Sequence, residues 1–312
     1  MTDAAKVYLV GAGPGSPDLI TVRGLRLLQR ADVVVYTDSL VSEELVAEAN
    51  PAAVVHRSAG MILEDIIDVM ADAVTAGKVV VRLHTGDPAV FGATLEQMVR
   101  LRQRGIPYEI VPGVSSVFAA AAILEAELTV PELTQTVILT RMGGRTPVPE
   151  REQLRDLAAH HTTIALYLSA TLAKRAVDEL YAAGWAPDTP AAVVQKATWP
   201  DEKVVRTTLR DLVRAMGDAH ITSHAMILVG WALHPALRDN PAHRSKLYDA
   251  SFTHRFRRGC RDNARCHSGC GRHHQTRNGH RPATPGCPAG RGRVLSSKIR
   301  GRRRTGTRYP SV

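Results

Sequence analysis

Cysteine is absent from the first 257 residues of this 312-residue chain; all four cysteines (Cys260, Cys266, Cys270 and Cys287) fall in the stretch that follows. The body therefore carries neither a disulfide framework nor a cysteine nucleophile. Long apolar runs are missing too. None approaches the ~18 residues of a membrane span, so no membrane attachment is expected. The opening MTDAAKVYLVG lacks a basic segment followed by an apolar stretch, so no secretory leader is expected and the cytoplasm is the expected location. Within residues 1–257 no His, Asp or Glu pattern has metal-ligand spacing and no G-x-S-x-G elbow occurs. Metal and serine-nucleophile chemistry are therefore not expected there.

Acids are scarce at one end only. Residues 258–312 hold 13 Arg and 1 Lys against the single acid Asp262, whereas residues 1–257 hold 26 basic and 29 acidic side chains. The formal charge of +10 thus belongs to the tail, and the body is mildly acidic. The tail's aliphatic residues are Val294, Leu295, Ile299 and Val312, and it has no Phe, Met or Trp. That is too little apolar surface to offset a backbone ordering cost of about 1–2 kcal/mol per residue, so disorder is expected from about residue 258. Its Cys and His inventory resembles zinc ligands, but the spacing C-x5-C-x3-C lacks the usual C-x2-C knuckle. Its composition fits a basic appendage or the out-of-frame product of a GC-rich gene. A basic tail would bind nucleic acid through phosphates without specificity, and no specific nucleic-acid partner is expected.

What the body does contain is a repeated strand-and-helix pattern. Apolar, β-branched runs at 6–11 (KVYLVG), 33–36 (VVVY), 54–56, 79–83 (VVVRL) and 108–111 (YEIV) predict strands buried on both faces of a parallel sheet. Helices are predicted between them. One opens on Glu64 and Asp65, buries Ile66, Ile67, Met70, Ala73 and Val74, and stops at Gly77; another covers 94–104 and ends at Gly105. After a helix-like run at 115–126, a second α/β pattern predicts strands at 136–140, 163–168, 191–195, 204–208 and 226–230, with a helix at 172–183. The expected organisation is two α/β domains, 1–114 and 115–257, with a ligand cleft between them, followed by the tail at 258–312.

Four loops carry candidate chemistry. GAGPGSPDLIT (11–21) follows the first strand, but Ser16 replaces the third glycine of a dinucleotide fingerprint and no Gly-Lys-Ser/Thr follows. A stiff turn that lets a ligand approach the backbone fits better, with a bare strand-to-helix turn as the alternative. HTGDPAVFG (84–92) lies where open α/β sheets bind ligands, beyond a strand's carboxyl end. There Asp87 suits a ribose hydroxyl or a cation, or else simply starts a turn, and His84 suits a structural role. In VPGVSS (111–116) the hydroxyls of Ser115 and Ser116 are expected to cap the next helix, leaving the main chain for a ligand. In TRMGGRTPVPE (140–150), Arg141 and Arg145 flank two glycines; guanidinium forks suit carboxylates, and solvated loop arginines are the alternative.

In this order, GAGPGSPDLIT, GDPAVFG, VPGVSS, ALYLS and AVVQKATWPDE resemble the tetrapyrrole methylase family over about residues 6–257. The resemblance implies two α/β domains with a non-Rossmann cofactor site in the cleft between them. S-adenosyl-L-methionine is the implied methyl donor, with no metal. Carried over by position, the donor-binding residues are Pro14, Thr85, Gly86, Asp87, Val90, Ser115, Ser116, Leu168, Val193, Ala225 and Met226. The segments YTDSLVSEEL, VRLHTGDPAVFGA, ELTVPELTQTVILTRMGGRTPVPE and SKLYDASFTHRFR resemble the branch that methylates carbon 11 of precorrin-4 or cobalt-precorrin-4. Other tetrapyrrole precursors are the alternatives. A carboxylate-rimmed substrate requires arginines, and Arg57, Arg141 and Arg145 are the candidates. The resemblance also implies a homodimer. Two positions depart from it: Ser16 and Gly143 stand where an acid is usual, which puts a turn hydrogen bond and the firmness of the arginine loop in question. Outside the family, a nucleotide-dependent oxidoreductase built on residues 11–15 and a nucleic-acid-binding protein led by the tail are the rival readings.

Overall fold

The structure is a computed structural model and describes residues 5–239 and 245–259. Beyond 259 the expected basic tail lies outside the described residues, with its cysteines and its zinc-like Cys and His inventory. The described residues form two five-stranded sheets. The first contains β1 (Val7–Gly11), β2 (Val33–Tyr36), β3 (Val54–Arg57), β4 (Val80–His84) and β5 (Tyr108–Val111), in the order β3-β2-β4-β1-β5. Every pairing is parallel, so all five carboxyl ends lie along one edge. Strands β1, β2 and β4 are buried throughout, which is why β1 and β2 read as apolar runs, while β4 also buries Arg82 and His84. Strands β3 and β5 look alike in sequence yet are the sheet's two edges, with Val54 and Ile110 exposed.

Helices α1 (Val22–Leu28) and α2 (Glu43–Ala47) cover one face through Leu27, Leu28 and Leu45. Helices α3 (Leu63–Thr75) and α4 (Thr94–Gln103) cover the other through Ile67, Met70 and Leu101. Each such fully buried side chain contributes about 1.5–3 kcal/mol. The helix ends follow local chemistry. The Thr21 hydroxyl accepts from the Gly24 amide at 3.1 Å, and Ser42 accepts from Leu45 at 3.3 Å. Helix α3 carries Glu64 and Asp65 in its first turn, where acids meet the positive end of the dipole. It is followed by Gly77 at φ +78°, the left-handed stop.

The second sheet contains β6 (Val137–Arg141), β7 (Thr163–Tyr167), β8 (Pro190–Gln195), β9 (Lys203–Thr208) and β10 (Ala225–Val229), ordered β6-β7-β10-β8-β9. Here only β6 and β7 are parallel; the other three pairings are antiparallel. The turn between β8 and β9 is too short for a parallel crossover, so those strands must form a hairpin. Helix α5 (Ser116–Ile123) leaves the first sheet and packs on one face of the second through Val117 and Ala120. Helices α6 (Leu154–Ala158), α7 (Ala173–Ala182) and α8 (Leu212–Asp218) cover the opposite face through Ala158, Leu180 and Leu212. Among the described residues no helix is long and apolar enough to cross a membrane, and no group of three or more His, Cys, Asp or Glu is placed to hold a metal ion.

Candidate functional site

The loops leaving β1, β4 and β5 meet where their backbones touch. The Ala12 amide donates to the His84 carbonyl at 2.7 Å, and Gly13 and Gly86 exchange two backbone hydrogen bonds of 3.2 and 2.7 Å. Both glycines have positive φ, +82° and +62°, which residues with a Cβ adopt only at a cost. A methyl at Gly113 would lie 2.2 Å from the Gly86 carbonyl oxygen and 2.7 Å from Gly11 Cα. At Gly11 and Gly113 the junction has no room for a side chain. Asp87 then fastens the second loop to the third: Oδ1 accepts from the Ala89 amide at 2.8 Å and Oδ2 from the Gly113 amide at 2.9 Å. Both oxygens are engaged, and each keeps a second lone pair for a ligand.

Opposite this backbone junction the second sheet presents side chains. Ser115 occupies the cap position of α5, but its hydroxyl makes no capping bond. It lies 2.8 Å from the Tyr167 hydroxyl instead. The capping expectation is corrected on this point. A buried tyrosine hydroxyl needs a polar partner, and Ser115 supplies it across the two lobes. Burial pushes the Tyr167 phenol above its ordinary value, so it stays neutral. The Tyr167 ring meets Phe91 of the second loop at 4.9 Å between centroids. Next to it Leu168 stands 72% exposed at φ +51°, a strained and solvated leucine at the end of β7.

The sequence-derived residues divide under this geometry. Gly86, Asp87 and Ser115 meet at the junction, with Pro14 buried and Ser116, Val90 and Ala225 half-buried. Thr85 is exposed at the carboxyl end of β4. Met226 is buried in the core under α5. Val193 is fully buried on the far face of the sheet, beneath α6 to α8, so its side chain is not brought to this site. The three arginines are dispersed. Arg57 lies on edge strand β3, paired with Glu43 at 2.6 Å. Arg141 ends β6 and spends its guanidinium on the carbonyls of Met142, Thr146 and Pro147 within its own loop. Arg145 is exposed and makes no hydrogen bond or ion pair among the described residues. At the two departures, the Ser16 amide and hydroxyl bond Thr198 and Asp18, and the Gly143 carbonyl accepts from Arg175 at 3.2 Å.

Sequence reasoning passed over Arg82. It is buried in β4 and donates to Ser58 Oγ at 2.9 Å, Thr37 Oγ1 at 3.3 Å and Gln97 Oε1 at 3.4 Å, all neutral. Burial lowers its pKa to about 10, so it remains a cation at neutral pH. Two residues on, His84 is buried as well. Burial, with the charge of Arg82 second, lowers its pKa to about 3, and Nε2 has no hydrogen-bond partner. The available signal was a charge inside an otherwise apolar run, VVVRL, whose neighbours leave it no exposed face.

These residues suit a bent, partly apolar ligand such as S-adenosylmethionine. The glycine junction admits close approach to main-chain groups, and exposed Leu168 and Phe91 offer apolar surface beside it. Residues 6–213 match the model for tetrapyrrole (corrin/porphyrin) methylases. A cobalt-precorrin-4 C(11)-methyltransferase from Priestia megaterium is 62% identical over 254 residues, covering 81% of this chain and 98% of its own. A precorrin-4 C(11)-methyltransferase from Pseudomonas aeruginosa is 44% identical over 253 residues, covering 81% and 99%. A solved structure of a cobalt precorrin-4 methyltransferase superposes with a TM-score of 0.73, covering 74% of this chain and 97% of its own. A uroporphyrin-III C-methyltransferase from Thermus thermophilus, solved with S-adenosylhomocysteine, is 31% identical with a TM-score of 0.62, covering 73% and 98%. On the strength of the family match and these identities, the chain belongs to the tetrapyrrole (corrin/porphyrin) methylase family.

Proposed function

We propose that the protein transfers a methyl group from S-adenosylmethionine to carbon 11 of cobalt-precorrin-4. The observation that carries this reading is the 62% identity, over almost the whole of its length, to the Priestia megaterium enzyme of that name. The lower identity of 44% to a precorrin-4 enzyme favours the cobalt-bearing form over the metal-free one. The donor, when bound, supplies an electrophilic methyl on a sulfonium. The chain's own part is placement. The Gly11–Gly86–Gly113 junction offers main-chain groups, Asp87 ties the second loop to the third, and Leu168 and Phe91 offer apolar surface. Orientation of this kind lowers barriers by ~7–11 kcal/mol. Arg145 is the free guanidinium for a substrate carboxylate, while Arg57 and Arg141 must first release their present partners.

The reading includes a homodimer in the cytoplasm and a division into domains at 1–114 and 115–257. The deciding experiment is incubation with labelled S-adenosylmethionine and a panel of precorrins and uroporphyrinogen, with and without cobalt, the product carbon being located by NMR. Label at carbon 11 of cobalt-precorrin-4 is expected. Label at another carbon, or only with another ring, replaces the substrate; no transfer to any member overturns the reading. Light scattering of the purified protein tests the dimer.

A further inference from the structure

The segment AVVQKATWPDE contributes a feature that the donor site does not absorb. Residues 196–202, the turn between β8 and β9, reach across to the first loop of the other sheet. Trp199 Nε1 donates to the Pro14 carbonyl at 3.0 Å, and the Thr198 Oγ1 accepts from the Ser16 amide at 2.9 Å. Between those two bonds the indole lies flush on the loop: a methyl at Gly15 would fall 2.3 Å from Trp199 Cδ1. These contacts join residues more than 180 positions apart.

The turn and the end of β8 also hold the segment that precedes β10. The Lys196 amide donates to the His224 carbonyl at 2.8 Å, and Gln195 Nε2 donates to Ser223 at 3.0 Å. That second anchor immediately precedes Ala225 and Met226. Within the turn, the Thr198 amide donates to Glu202 Oε2 at 2.7 Å, the Trp199 amide donates to the Lys196 carbonyl at 2.9 Å, and Lys196 pairs with Asp201. The turn is therefore stiff, and its stiffness has a cost. Lys196, Thr198 and His224 all hold positive φ, +49°, +68° and +51°, and for a β-branched threonine that is an outlier. Strain of this kind persists where the surroundings over-determine it and concentrates at ligand sites.

We propose that Trp199 and Thr198 are positioning residues of the donor site. They set the first loop, and Pro14 with it, at a fixed distance from the turn that precedes β10, so that donor affinity depends on a hairpin tip belonging to the other sheet. This inference rests on the reading that S-adenosylmethionine binds here. Its chemistry is specific: one indole N–H and one hydroxyl oxygen each satisfy a main-chain group of the loop. Removing either frees a loop polar group and lets the loop drift, which weakens donor binding without touching the tetrapyrrole side.

Calorimetry with S-adenosylhomocysteine on the full chain tests it, using Trp199→Phe, Thr198→Val and Thr198→Ser. Trp199→Phe keeps a ring but loses the donor; Thr198→Val keeps the shape but loses the acceptor; Thr198→Ser restores the acceptor. The first two are expected to weaken binding about tenfold each, the scale of one hydrogen bond. The double variant should lose less than the product of the two, because both act on one loop. Thr198→Ser should bind like the parent. In turnover the KM for S-adenosylmethionine should rise and kcat should hold. Parent-like affinity in folded Thr198→Val and Trp199→Phe overturns the inference, and so does equal weakening by Thr198→Ser. If Trp199→Phe does not fold, the two Thr198 variants decide alone. Should the parent itself fail to bind S-adenosylhomocysteine, the functional reading falls first.

Discussion

The two sheets contribute to the site in different materials. The first sheet is wholly parallel and delivers three loops that meet through main chain, glycine against glycine, with Asp87 as the clasp. The second sheet is mostly antiparallel and delivers side chains: Tyr167, Leu168, and the Trp199 tip. Backbone junctions tolerate nothing, because no rotamer can move out of the way. Side-chain contacts degrade by degrees. The first sheet should therefore answer substitution with collapse of the site, and the second with graded losses.

The harshest test of that contrast is Gly113→Ala, where the new methyl meets the Gly86 carbonyl and Gly11 at sub-contact distance. A stability loss of roughly 2–3 kcal/mol and no detectable methyl transfer are expected; a denaturation curve and an activity assay together check it, and near-normal turnover would break the contrast outright. Next comes Asp87→Ala, which frees two amides at once. Calorimetry should show affinity for S-adenosylhomocysteine falling about a hundredfold, with the circular dichroism spectrum retained.

His84 sharpens the contrast by pH. Its folded pKa of about 3 lies below the ordinary value, so the unfolded chain binds more protons as pH falls from ~6.5 toward 3. Stability should decline through that window by up to ~1.4 kcal/mol per pH unit, about 2 kcal/mol at pH 5. Denaturation at pH 7 and pH 5 should show this difference shrinking in His84→Gln; an unchanged difference removes His84 as its source. Smaller still is Arg145→Ala, expected to raise the KM for the tetrapyrrole about tenfold, with donor affinity unmoved. Loss of both would place Arg145 in the donor site. Truncation after Gly259 is expected to leave turnover unchanged, as steady-state assays of the shortened chain would reveal.

Much of this was legible in residue order. Strands 33–36 and 108–111 lie where their apolar runs put them, and α3 buries the face that its periodicity marks. The glycine and Asp-Pro loops announced the junction because their chemistry is local. In the second sheet only the β8–β9 pair betrayed its direction, through a connection too short for a parallel crossover; elsewhere an antiparallel and a parallel strand share one apolar pattern until the partner is known. Nor was the fate of the Ser115 hydroxyl, which a distant Tyr167 claims from the nearby helix end. The burial of Arg82 and the reach of Trp199 depend on neighbours far away in sequence, beyond any window of local propensity.

The span between Pro14 and Trp199 also sets a timetable. At ~5–20 residues per second of synthesis, the loop that carries Pro14 leaves the ribosome roughly ten to forty seconds before the tryptophan that will steady it. A nascent chain can thus finish the first sheet while the indole that hydrogen-bonds its first loop has yet to be made.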